Sequence, residues 1–154
     1  MSETVIVPPA TGIVRGRRRH PLTLIPLLVI PWALYNILGF TMFGGQPGGW
    51  ANQLFQIRMV SGTEWSLTWG DLMLLLGIIC LFFEVLKSTN TGRSSLVEHM
   101  LSTVLFIVFL VEFILLGAAA SSTFFLLMAM SLVDVVAGFS ISITGAGRDV
   151  TMEN

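Results

Sequence analysis

Two carboxylic acids lie inside long apolar runs of this chain. Glu112 belongs to the run LSTVLFIVFLVEFILLG, and Asp134 belongs to the run STFFLLMAMSLVDVVAGFSISI. Each run is long enough for a helix that crosses a bilayer, which takes ~20 mostly apolar residues. Because a carboxylate at that depth costs roughly 2.5–3.5 kcal/mol on insertion scales, we expect both acids to face protein or water rather than lipid.

Acids at this depth suit two kinds of chemistry. Together with Glu84 and Asp71, they could pass protons or small cations, because the four acids are staggered in height over three helices. Helical rise places Glu112 and Asp134 roughly 6 Å apart in height, so this relay needs waters or hydroxyls between them. Alternatively, the protonated acids could hydrogen-bond to neighbouring helices. The candidate partners within the chain are Ser102, Thr103, Ser131, Ser140, Tyr35 and Asn36.

Two of these acids also have a purely structural interpretation. Asp71 lies in the first turn of a predicted helix, where a carboxylate interacts favourably with the helix dipole. Glu84 lies three residues before Lys87, and both side chains could reach the membrane interface. His99 is expected at the same level as Glu84, so a contact between these two residues could respond to pH.

Sequence motifs of enzymes and metal sites are absent from the chain. It has no Gly-rich phosphate loop, no HExxH, no GxSxG and no pair of histidines at metal-ligand spacing. Its one cysteine, Cys80, lies in an apolar run, so neither an internal disulfide nor a CxxC zinc site can form. We therefore expect no enzyme activity, no cofactor and no bound metal.

The composition indicates one integral membrane domain. Hydrophobic residues make up 54% of the chain and charged residues only 11%. Charged residues are about a quarter of a typical soluble domain. The net charge of −1 gives no indication of a nucleic-acid partner.

Four apolar stretches predict an all-α membrane protein, a bundle of four transmembrane helices with a small extracytoplasmic β-hairpin between helices 1 and 2. The predicted spans are 21–43, 68–87, 98–117 and 122–143, within a membrane domain over 21–144. A flexible basic tail, 1–20, precedes this domain, and a short tail, 145–154, follows it. Pro26 and Pro31 fall inside the first span and predict a kink there. Gly145 and Gly147 predict the end of the fourth span.

The segment between the first two spans has the period-two pattern of β-strands. Apolar and polar residues alternate over 55–59 and again over 65–69, which predicts a hairpin over 55–69. A three-residue loop at 61–63 would pair Met59 with Trp65 and keep the apolar side chains on one face. An interfacial amphipathic helix over 50–60 is the alternative interpretation. A short helical turn also fits 49–54.

Tryptophans and arginines mark the expected membrane interfaces. The tryptophans fit an aromatic belt on one side, and the arginines directly precede the first span. These residues are Trp50, Trp65, Trp69, Arg17, Arg18 and Arg19. With a cytoplasmic N-terminus, every Lys and Arg except Arg58 falls on the cytoplasmic side, so we expect both termini there and the hairpin outside. This pattern indicates a multi-pass protein of a plasma membrane, most simply a bacterial inner membrane.

Small residues in the predicted spans indicate close helix contacts. Gly70 and Gly77 repeat at seven residues on one face of the second span, and Gly138 lies in the fourth. We expect a small non-enzymatic accessory, assembly or scaffolding subunit of a membrane complex. Its partners would be the lipid bilayer and either a second copy or another membrane protein. The alternative is a proton- or cation-coupled transporter element that uses Glu112 and Asp134.

Overall fold

The computed structural model describes residues 25–88 and 93–151. Within these residues the chain is mostly helical, as the composition predicted. The helices are α1 (Val29–Thr41), α2 (Trp69–Ser88), α3 (Arg93–Leu115) and α4 (Ser122–Thr151). A hairpin of β1 (Gln53–Arg58) and β2 (Glu64–Thr68) lies between α1 and α2, and short 3-10 turns occupy Pro47–Ala51 and Gly117–Ala119. The basic tail that contains Arg17, Arg18 and Arg19 lies outside the described residues.

Three of these helices contain stretches that are long and apolar enough to cross a membrane. The stretches are Trp69–Ser88, Val97–Leu115 and Ser122–Ile141. They match the second, third and fourth predicted spans within a few residues, because an unbroken apolar run of this length is a local property of the sequence.

Helix α1 is shorter than the predicted span and begins later. The span was expected over 21–43 with a kink at its prolines, but the helix comprises the 13 residues Val29–Thr41. Pro31 lies in its first turn, where a backbone N–H has no intrahelical acceptor, so the ring is tolerated without a kink. Pro26 accepts the Val29 N–H through its carbonyl oxygen at 3.1 Å and so forms the turn that leads into the helix. The prolines therefore define where α1 starts.

Helix α4 packs against both α2 and α3. The three-residue 3-10 turn Gly117–Ala119 joins α3 to α4, so these two helices are antiparallel neighbours. Glycines permit the close approach of the helices. A Cβ atom on Gly70 would lie 2.5 Å from Thr123 Oγ1, and one on Gly77 would lie 2.6 Å from Leu127 Cδ2. A Cβ on Gly138 would overlap the ring of His99 on α3.

Helix α4 continues through the glycines that were expected to end it. The predicted stop was at Gly145 and Gly147, whereas the helix runs to Thr151 and so occupies most of the predicted tail 145–154. A glycine ends a helix efficiently when it adopts a left-handed backbone, whereas Gly145 and Gly147 lie inside the helical backbone of α4. A glycine inside a helix costs only about 1 kcal/mol relative to alanine.

The hairpin is present, but its register differs from the predicted one by two residues. The observed pairs include Phe55 with Leu67 and Ile57 with Trp65, and the loop is Val60–Ser61–Gly62. Gly62 has φ +83°, the left-handed conformation that closes a three-residue hairpin loop. Because the shift is an even number of residues, the apolar side chains still share one face.

Candidate functional site: two buried polar clusters

Glu112 is buried and accepts a hydrogen bond from α1. The indole Nε1–H of Trp32 donates to Glu112 Oε2 at 2.6 Å. The neighbouring Tyr35 hydroxyl donates to the carbonyl oxygen of Ala118 at 3.0 Å and lies 2.7 Å from Ser121 Oγ. We call these five residues the tyrosine cluster. They join α1 to the end of α3 and the start of α4, so the acid at position 112 holds helices together.

Sequence reasoning proposed hydroxyl and amide partners for Glu112 and missed Trp32. The signal was available, because an indole N–H is a donor that usually finds a partner when it is buried. Tyr35 was a candidate partner, but it bonds to the α3–α4 turn instead. The Asn36 amide donates to the carbonyl oxygen of Trp32 at 3.3 Å within its own helix.

Glu84 lies on α2 and holds the turn that leads into α1. Its Oε2 atom accepts the Leu27 backbone N–H at 2.7 Å, and its Oε1 atom lies 3.1 Å from Lys87 Nζ. Lys87 Nζ also lies 3.4 Å from the carbonyl oxygen of Ile25. Glu84 was expected to reach the interface, but only 3% of its surface is exposed. Its burial follows from this role, since a backbone N–H that is withdrawn from water needs an acceptor.

Further ionisable and hydroxyl side chains surround the Glu84–Lys87 pair. Glu98 Oε2 lies 3.9 Å from Lys87 Nζ, and Ser102 hydrogen-bonds to Asp134 across the α3–α4 contact. His99 is buried and packs against Gly138. We call this group the lysine cluster; its members are Glu84, Lys87, Glu98, His99, Ser102 and Asp134. Three helices thus contribute buried polar groups at the end of the bundle where α1 begins.

An apolar layer separates the two clusters. It consists of four core side chains that are at most 6% exposed. Those on α3 lie between Ser102 and Glu112, and those on α4 precede Asp134. Its members are Leu105, Phe109, Phe124 and Leu127. Asp134 is hydrogen-bonded to Ser102 and therefore lies at the same height in the bundle. Ser102 precedes Glu112 by ten residues of α3, so Asp134 and Glu112 differ in height by ~15 Å. The height difference of roughly 6 Å estimated from the sequence was therefore too small.

Known proteins offer no guide to these clusters. The chain matches no protein-family model, no curated protein and no solved structure. Among the residues that the structure describes, no group of three or more His, Cys, Asp or Glu side chains could hold a metal ion. The interpretation of the site therefore depends on its own contacts.

Asp71 belongs to a helix cap at the opposite end of α2. Its Oδ2 atom accepts the Thr68 backbone N–H at 2.9 Å and the Thr68 hydroxyl at 2.7 Å. In return, Thr68 Oγ1 accepts the Asp71 N–H at 3.1 Å. This reciprocal arrangement is a capping box, and the spacing Thr68-x-x-Asp71 was the signal for it. Asp71 is exposed there and lies apart from both clusters.

The three tryptophans expected at an interface have different surroundings. Trp50 is 2% exposed, with its ring stacked on that of Tyr35 at 4.3 Å between centroids. The 3-10 turn Pro47–Ala51 folds it back over Gly39, where a Cβ atom would lie 3.9 Å from the indole. Trp50 is therefore a core residue rather than an interface anchor. Trp65 is exposed on the hairpin, and Trp69 is partly buried.

Replacing Trp32 by phenylalanine tests the clamp between α1 and α3. The change keeps most of the ring but leaves the buried Glu112 without its indole donor, so the free energy of unfolding should fall by about 1–3 kcal/mol. The measurement is unfolding in a denaturing detergent titration, with Trp65→Phe on the exposed hairpin as the matched control. If Trp32→Phe costs as much in a Glu112→Leu background as in the natural sequence, the hydrogen bond is not the reason.

Proposed function

We propose that the chain is a non-enzymatic integral membrane protein that acts through association, as an accessory, assembly or scaffolding subunit of a membrane complex. The support comes from its hairpin. The acids and glycines that suggested association at the sequence level make contacts inside the chain. The helices also expose apolar side chains, which the proposed lipid bilayer would cover, whereas the hairpin exposes an apolar face outside the helices.

The hairpin presents a compact apolar face. Phe55, Ile57, Met59 and Trp65 are each 46–53% exposed. The rings of Phe55 and Trp65 pack edge to face at 6.1 Å, so the face is continuous across both strands. A two-stranded hairpin has two unpaired edges, and an exposed apolar hairpin is a favourable template for a partner. This face is the single observation on which the proposed function depends.

The link to α2 fixes the hairpin relative to the bundle. Strand β2 ends at Thr68 and α2 begins at Trp69, with the capping box across the junction. The Trp69 backbone N–H also bonds to the carbonyl oxygen of Asn52 at 3.2 Å. A docking face held in this way loses little conformational entropy when a partner binds.

The proposed topology places this face outside the cytoplasm. Leu27 at the start of α1 contacts Glu84 near the end of α2, while Gly39 near the end of α1 lies under Trp50. Helix α1 therefore runs antiparallel to α2 over most of its length, which supports a fourth crossing. Under the positive-inside rule the Lys87 end is cytoplasmic and the hairpin is external. A plasma membrane, most simply a bacterial inner membrane, is the proposed location.

Photocrosslinking on the two faces of β1 tests the docking role. The photoreactive residue benzoylphenylalanine replaces Ile57 on the apolar face or, as the matched control, Gln56 on the polar face of the same strand. We expect a protein adduct from position 57 in intact membranes and at least tenfold less from position 56. Mass spectrometry of the adduct then distinguishes a second copy from another membrane protein. Adducts with lipid alone from position 57 would contradict the proposal.

A further inference from the structure

The lysine cluster contains more acidic groups than its two basic side chains can neutralise. Its carboxyl groups are Glu84, Glu98 and Asp134, and its bases are the ammonium group of Lys87 and the imidazole of His99. Each of these acids is at least nine-tenths buried. A buried carboxylate without a paired charge is so costly that such a group neutralises by taking up a proton. The cluster therefore needs a further positive charge or a bound proton.

The three acids differ in the groups that stabilise their negative charge. Glu84 has Lys87 Nζ at 3.1 Å and the Leu27 N–H at 2.7 Å. Glu98 has Lys87 Nζ at 3.9 Å from one oxygen, while its Oε1 atom is buried without a hydrogen bond. Asp134 is hydrogen-bonded to the Ser102 hydroxyl, which is a neutral group. Asp134 is thus the least compensated acid.

Asp134 also has a buried oxygen without a partner. Its Oδ2 atom makes no hydrogen bond, and neither does the hydroxyl of Ser131, which precedes it by one helical turn on the same face of α4. Asp134 is 3% exposed and Ser131 is 1% exposed, so bulk water does not satisfy these atoms. A proton on Oδ2 would remove the buried charge.

The other ionisable groups around Asp134 do not remove this need. Helix α2 contributes Glu84, Lys87 and the buried thiol of Cys80, and α3 contributes Glu98 and the ring of His99. The segment before α1 contributes the Leu27 N–H and the Ile25 carbonyl oxygen. The side chain of Lys87 is 21% exposed, which makes it the member of the cluster nearest to solvent.

We propose that the lysine cluster is a proton-binding site in which Asp134 carries the exchangeable proton. The proton exchanges with the end of the bundle where α1 begins and does not continue to Glu112, because the apolar layer lies between them. The site is independent of the hairpin and of any partner that the hairpin binds.

Difference infrared spectroscopy of the full chain across a pH titration tests this site. A protonated carboxyl group has a C=O stretching band that an ionised carboxylate lacks, and we expect one such band to disappear as the pH is raised. Asp134→Asn should abolish this band. Ser102→Ala should shift its frequency, because the carboxyl group loses a hydrogen bond. Glu112→Gln and the exposed Glu64→Gln are the matched controls, and both should retain the band.

Several outcomes would overturn the assignment. A band that survives Asp134→Asn and disappears in Glu112→Gln or Glu98→Gln places the proton elsewhere. The absence of any titrating carboxyl band in the natural chain excludes a proton site. If Asp134→Asn does not give a folded chain, the frequency shift in Ser102→Ala decides, and an unchanged band there refutes the proposal. None of these results depends on the crosslinking at position 57.

Discussion

Glu84→Ala is expected to lower the free energy of unfolding by about 3–5 kcal/mol, the range for removing one partner of a buried ion pair. Two losses combine in this variant. The Leu27 N–H loses its acceptor at 2.7 Å, and Lys87 retains only Glu98, at 3.9 Å, among the described acids. Since Glu84 and its partner Lys87 bond to Leu27 and Ile25 in the segment before α1, we expect α1 to detach before the other helices unfold.

A detergent titration that follows tryptophan fluorescence measures this effect, because α1 contains Trp32 and covers Trp50. Glu84→Gln is the informative comparison. An amide oxygen can still accept the Leu27 N–H, so the loss of stability should be smaller than that for alanine. Glu64→Ala on the exposed hairpin should change stability by no more than about 0.5 kcal/mol. Equal stability of the Glu84→Ala and Glu64→Ala variants would show that Glu84 does not hold α1.

Phe124→Ala is expected to have a similarly large effect, a loss of about 3–5 kcal/mol, because it leaves a cavity in the apolar layer. Phe124 is fully buried. Its ring centroid lies 4.8 Å from that of Tyr35 and 5.3 Å from that of Phe109. It therefore packs α4 against α1 and α3 at once, and packing of this kind is a main source of stability between helices in a membrane.

The neighbouring phenylalanine provides the control for this prediction. Phe125 is 48% exposed on the outer surface of the same helix, so Phe125→Ala should cost less than about 1 kcal/mol. Phe124→Leu should recover part of the loss, because leucine fills more of the cavity. The same detergent titration measures all three variants. Equal losses for positions 124 and 125 would contradict the description of an apolar layer.

The apolar layer also bears on the relay hypothesis. Direct transfer between Glu112 and Asp134 would have to cross four buried apolar side chains over ~15 Å. Glu112 is bonded to Trp32 on one side of this layer, and Asp134 is bonded to Ser102 on the other side. The geometry thus favours two separate roles for these acids, a helix clamp for Glu112 and a proton site for Asp134.

The sequence by itself determined the features that depend on adjacent residues. The long apolar runs specify α2, α3 and α4, since helix length and hydropathy are sums over consecutive residues. The short link at residues 117–119 makes α3 and α4 antiparallel neighbours, and the alternation around Gly62 specifies a hairpin with one apolar face. The hairpin register was not determined, because two registers that differ by an even shift place the apolar side chains on the same face.

The tertiary structure alone decided which residues meet. The helices are apolar on almost every side, so their patterns do not reveal how each one is rotated or how far it is shifted along its neighbour. That rotation and shift bring Trp32 to Glu112 and Leu27 to Glu84, and they also bury Trp50. The height of Asp134 along the bundle depends on this rotation and shift as well. Such contacts join residues up to 80 positions apart, a separation that no local pattern encodes.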